Sequence, residues 1–144
     1  MKKIVVIAFV ATLFWSCNVD REKYDAVTIK LINESEQILV FSNIDNGGDT
    51  RFYPTNSFTL NPHETYSQTQ WNIGSYDPIV IAPSSMDIEC DGKRISISFD
   101  SDIARNPCKA EDWRRYSNFS KYGPGIFFEF DIMKEDVKLW FGTE

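Results

Sequence analysis

"MDIECDGKRISISF", residues 86–99, decides the fold class. Apolar and polar residues alternate on both sides of Asp91-Gly92, the pattern of strands with one buried face. The Asp-Gly pair suits a type I′ turn, whose two central residues need positive φ. Pairing across that turn sets Ile88 opposite Ile95 and Met86 opposite Ile97. Cys90 falls on the same face, so it is expected to point inward near the rim of a core.

The same period recurs outward from this hairpin. In "AVTIKLIN" (26–33), Val27, Ile29 and Leu31 share a face, opposite Thr28 and Lys30. "ESEQ" breaks the run and "ILVFS" (38–42) resumes it, which reads as a first hairpin. "NIDNGGDT" (43–50) is a loop, because Asn, Asp and Gly accept turn conformations that bulky residues do not. "SFTLN" (57–61) and "TYSQTQW" (65–71) are short strands split by "PHE", and "PIVIA" (78–82) is a brief apolar strand. The chain ends with "IFFEFDI" (126–132) and "VKLWF" (137–141), read as a hairpin through "MKED". Phe128, Phe130 and Ile132 face one way in it, and Val137, Leu139 and Phe141 do likewise.

One helix is expected, near residues 107–117. Asn106 is a good N-cap and Pro107 a good first helical residue. Trp113 then lies within helical reach of Ala110 and Tyr116. Seven to nine short strands with this one helix predict an all-β fold, a two-sheet β-sandwich, with a barrel as the runner-up.

The N-terminus has a different grammar. Lys2 and Lys3 precede Ile4–Trp15, a run of twelve residues that is apolar except for Thr12, and Ser16-Cys17 follow. That is the layout of a secretion signal. A spanning helix needs about 20 apolar residues, so this run is too short to be one. The division is then a signal peptide over 1–16, a polar tether over 17–25, and a single β-sandwich domain over 26–144.

Ser16-Cys17 resembles the lipobox of bacterial lipoproteins, although Phe14 and Trp15 depart from its usual Leu and small residue. The chain as a whole resembles the small lipoproteins of Bacteroides-type bacteria. A signal ending in cysteine is followed by a strand, the turn "INES", a second strand, and a later "DT" leading to a segment ending in "QTQW". The resemblance implies acylation of Cys17, which becomes the mature N-terminus. It also implies attachment to the cell envelope, at the outer membrane or cell surface. An ordinary signal peptide cleaved near Ser16 is the alternative. Each buried acyl methylene contributes about 0.8 kcal/mol, so two or more chains hold the protein at the membrane.

Cleavage removes Lys2 and Lys3 and no acidic residue, leaving 13 basic against 21 acidic residues, a net −8. That balance argues against nucleic acid as a partner, which requires a basic face. With Cys17 acylated, Cys90 and Cys108 remain, and an even pair in an oxidising compartment predicts a disulfide, with two free buried thiols as the alternative. The bond would close a loop of about 18 residues, worth on the order of 3 kcal/mol.

No catalytic residue, metal site or cofactor is expected. His63, the only histidine, lies in the turn "NPHET" and reads as a solvated turn residue. Asp45, Asn46 and Asp49 carry oxygen ligands but match no EF-hand spacing. Glu111 and Asp112 sit beside Arg114 and Arg115, as helical ion pairs would. "NES" (33–35) and "NFS" (118–120) fit the glycosylation pattern by chance. The aromatics carry more weight. Alternation points Trp140 outward from a sheet, so Trp140, Tyr116 and Tyr122 are the candidate binding surface.

These readings lead to a lipid-anchored, non-enzymatic binding module for a glycan or envelope protein. The alternative is an inhibitor or immunity-type lipoprotein, its acidic charge directed at a basic enzyme. A hydrolase built on His63 or the acidic residues is the third.

Overall fold

The computed structural model describes residues 26–71, 81–120 and 123–142. The signal and tether, with Cys17, and also Tyr122, lie outside the described residues. Among the described residues eight strands form two four-stranded sheets, the all-β sandwich the alternation predicts. They are β1 (Ala26–Asn33), β2 (Leu39–Asp45), β3 (Phe58–Leu60), β4 (Thr65–Trp71), β5 (Ser85–Cys90), β6 (Lys93–Ser98), β7 (Arg114–Ser120) and β8 (Gly123–Ile132). One short helix, α1 (Lys134–Phe141), follows β8. The strand orders are β4-β1-β8-β7 and β3-β2-β5-β6.

The β5–β6 hairpin has the expected register. Ile88 pairs with Ile95 and Met86 with Ile97, and Asp91 and Gly92 take φ of 51° and 76°. Cys90 is buried. The core lies between the sheets. Val27, Ile29, Leu31, Phe130 and Ile132 from one meet Leu39, Phe41, Met86, Ile88 and Ile97 from the other. One open side is closed by four stacked rings. Phe41, Phe58, Tyr66 and Tyr53 follow one another with centroids 4.7, 4.1 and 5.9 Å apart, linking β2 and β3 to β4.

Four expectations need correction. β1 and β2 do not form a hairpin, because β1 has both edges occupied, by β4 antiparallel and β8 parallel. The chain crosses to the other sheet instead. The crossing is pinned by the fully buried Asn33, whose amide donates to the carbonyls of Gln37, Leu60 and Asn61 and whose Oδ1 accepts from Ser35.

The helix near 107–117 is absent. Asn106 turns inward rather than capping a helix. Its Oδ1 accepts from the Cys108 amide, and its Nδ2 donates to the carbonyls of Ser98 and Ser101. A single 3₁₀ turn at Ala110–Asp112 follows, and Arg114 onward pairs with β8 as β7.

"VKLWF" is the helix. The Met133 amide donates to Asp136 Oδ2 at 2.8 Å, and Gly142 at φ 62° ends the last turn. Val137 and Phe141, four apart, are buried while Leu139 is 71% exposed.

Cys90 and Cys108 are buried free thiols, not a disulfide. Cys108 Sγ donates to the Ile97 carbonyl at 3.6 Å, whereas Cys90 pairs with Lys93, four residues before Ile97 on β6. Four strand residues span about 13 Å, and a disulfide needs Cα atoms within about 7 Å.

Candidate functional site

The outer face of the β4-β1-β8-β7 sheet is made by residues that alternate with the core. Val27, Ile29 and Leu31 point fully inward, so Thr28 and Lys30 turn outward. The parallel β1–β8 pairing sets Thr28 beside Phe127 and Lys30 beside Glu129. The β7–β8 pairing sets Tyr116 beside Phe127 and Arg114 beside Glu129. On the other flank, β4 sets Thr69 beside Thr28 and Trp71 beside Ala26. The Thr28 and Thr69 hydroxyls meet at 2.8 Å, which fixes both side chains on this face.

The result is an aromatic and charged platform. The Tyr116 and Phe127 rings stack with centroids 5.0 Å apart and planes 6° from parallel. The Lys30 ammonium stands 5.2 Å from the Phe127 centroid, and the Arg114 guanidinium 6.0 Å from that of Tyr116. Trp71, 58% exposed, lies on the far flank. Between Trp71 and the stacked pair the floor is low, because Ala26 and Gly125 occupy it.

Glu129 holds the platform together. It is only 8% exposed despite its outward position. Its Oε1 is ion-paired with Arg114, and its Oε2 accepts from the Tyr116 hydroxyl at 3.0 Å. A buried carboxylate is tolerable only with such partners. Asp131 lies 3.7 Å from Arg114. Burial, then the Glu129 charge, pushes its carboxyl above the ordinary range. The face thus presents flat rings, hydroxyls and two cations, the equipment for holding a ring-shaped polar ligand by its apolar side.

The other candidates fall elsewhere. Trp140 is half-buried on α1 rather than outward on a sheet, because the segment is helical. It lines a cavity of about 220 Å³ with Ile103, Leu139 and the charged Arg105 and Asp136. Arg105 there is ion-paired with Asp136, donates to the Asp131 carbonyl and covers the Phe130 ring, so its contacts brace α1 against β8. A second cavity, of about 210 Å³, lies between the Ser35–Gln37 turn, Cys90 and α1.

His63 is an exposed turn residue at φ 63°, with its ring nitrogens 3.7 and 3.4 Å from Glu34 and Glu36. Asp49 binds Arg51, which holds its carboxyl below the usual range. Asp45 Oδ1 accepts from the Gly47 amide. Asp112 accepts from the Asn106 amide. Among the described residues, no group of three acidic, Cys or His side chains is placed to hold a metal ion. No described helix is long and apolar enough to cross a membrane.

Of the two expected binding residues among the described ones, Tyr116 stands on the platform and Trp140 does not. Phe127, Glu129, Lys30 and Arg114 were not singled out as ligand contacts from the sequence. One signal was present: Glu129 interrupts the apolar run "IFFEF", and alternation puts it and Phe127 on the face opposite Phe128 and Phe130. Neither a protein-family model nor any curated protein or solved structure matches this chain.

Proposed function

We propose that this chain is a lipid-anchored, non-enzymatic binding module of the cell envelope, with the outer face of the β4-β1-β8-β7 sheet as its ligand surface. The ligand class is a glycan or an envelope protein. One observation carries the choice of face: the stacked Tyr116–Phe127 pair and the exposed Trp71 lie on one side of one sheet, with Lys30 and Arg114 beside them. The anchor rests on the Ser16-Cys17 signal in the sequence.

Two experiments test the two halves. Labelled palmitate should enter the wild-type protein and be absent from Cys17→Ala, which should leave the membrane fraction. Immobilised wild-type protein should retain material from glycan panels or envelope extracts that Trp71→Ala does not. Equal fractionation of Cys17→Ala removes the anchor. Equal retention by Trp71→Ala removes the face.

A further inference from the structure

We infer that the ligand of this face is an acidic polysaccharide, a chain of pyranose rings carrying carboxylates, laid across the strands from Trp71 toward Tyr116. The inference rests on the binding-face reading above and deepens it.

Charge complementarity is the first argument. The platform contains two cations and two carboxylates, but they are not equally presented to solvent. The Arg114 side chain is 62% exposed, against 9% for Glu129 and 30% for Asp131. Both Glu129 oxygens are occupied, by Arg114 and Tyr116. Lys30 makes no ion pair with the described residues, and its ammonium rests on the Phe127 ring, while Glu129, its neighbour in register, bonds to Arg114 and Tyr116. An approaching ligand therefore meets positive charge over aromatic rings, on a domain that is otherwise acidic. A ligand carboxylate completes Lys30, and a neutral ligand leaves it unmatched.

Shape is the second. The strands of Trp71 and Phe127 are two spacings apart, about 10 Å. This is the span of two sugar residues in an extended chain. Thr28, Ala26 and Gly125, all small, lie between them, so among the described residues no large side chain stands in the path of a sugar bridging the two aromatic contacts. Gly125 has no positive φ, and a Cβ there meets Phe127 at 3.6 Å, an ordinary contact. A Cβ can therefore be added at the floor without straining the backbone, and the local conformation does not require glycine there.

The test is calorimetric titration of the purified full chain with polygalacturonate and alginate, and with the same polymers after methyl esterification of their carboxyls. Both acids should bind at least about ten-fold more tightly than their esters, and the difference should shrink with added salt. Lys30→Gln should bring acid and ester close together. Trp71→Ala should weaken every bound polymer by about ten-fold. Gly125→Val, which fills the floor and suits a strand, should abolish binding with unchanged circular dichroism. Failure of both acids to bind overturns the inference. Equal binding of acid and ester, with loss in Gly125→Val, overturns the acidity and leaves the face standing. Binding that neither Trp71→Ala nor Gly125→Val disturbs overturns the face itself.

Discussion

Asn33→Ala is expected to destabilise the protein by about 3 kcal/mol. Asn33 is fully buried at the point where the chain leaves one sheet for the other. Its amide nitrogen reaches three carbonyls, of Gln37, Leu60 and Asn61, at 2.7, 3.2 and 3.1 Å. Its Oδ1 accepts from the Ser35 amide at 3.1 Å and hydroxyl at 2.6 Å. The Gln37 and Asn61 bonds are partly open to water, which replaces them after truncation. The Leu60 carbonyl and the Ser35 amide and hydroxyl have buried bonds; the hydroxyl keeps the Gln37 amide as a partner, whereas the carbonyl and the amide each lose their side-chain partner. A stranded buried group costs about 1–3 kcal/mol, and two of them give the figure above. Against a typical total of about 5–15 kcal/mol, that is a large fraction. Urea unfolding should show a lower midpoint at unchanged slope. Asn33→Asp, which keeps the shape but turns an oxygen toward three carbonyls, should be worse than alanine at neutral pH and recover as the new carboxyl is protonated. Asn46→Ala removes one partly buried bond of 3.4 Å and should stay within about 0.5 kcal/mol of wild type. A loss below about 1 kcal/mol in Asn33→Ala would refute the claim that this side chain secures the crossover.

Three further outcomes follow from burial and backbone geometry elsewhere in the fold. Burial pushes the Cys108 thiol up to about 12 and the Cys90 thiol also upward, so neither should react with iodoacetamide in the native protein near pH 8. After unfolding without reductant both should be labelled, which mass spectrometry counts directly; an unlabelled pair would mean a bond. Gly142→Ala places a Cβ on a left-handed residue at φ 62° and should cost about 1 kcal/mol, read as a lowered melting temperature. Stability against pH should have a maximum. Asp131 and Asp136 have carboxyls raised chiefly by burial, so the native state holds protons more tightly there and stability grows as pH falls from neutral through their raised values. Asp87 and Asp49 are lowered, chiefly by hydrogen bonds from Ser96 and Arg51, and their contribution is lost as pH drops below the ordinary carboxylate range. Denaturant titrations across that range check the shape, and Asp87→Asn should flatten the acid limb.

How much of this was legible depends on whether the deciding contacts were local. The β5–β6 register was, because Asp91-Gly92 admits few turn geometries and a one-residue slip would turn Ile88 and Met86 to solvent. The inward face of β1 was legible for the same reason. Its partners were not: β8 lies about a hundred residues further along the chain, and nothing in "AVTIKLIN" says that the last strand will pair with it in parallel. A hairpin with β2 is the most economical reading of the sequence, and the two occupied edges of β1 overrule it.

Local signals also competed with one another. "VKLWF" satisfies both periods, since Val137 and Phe141 are two steps apart by alternation and four apart by helical spacing. Two cues favoured the helix, Asp136 placed to receive the Met133 amide and Gly142 beyond the last apolar residue. Asn106-Pro107 carried the opposite trap. An asparagine that starts a helix and one that closes a loop onto Ser98 and Ser101 look alike in sequence, because both use the same side-chain oxygen on a nearby amide. The open edge of β8 then draws residues 114–120 into the sheet as β7, whatever their helical propensity. That pairing is also what makes the platform. Were 107–117 a helix, Tyr116 would have no Phe127 to stack on and Arg114 no Glu129 beside it. The misread segment and the unread site are therefore one consequence of a single pairing, that of β7 with β8.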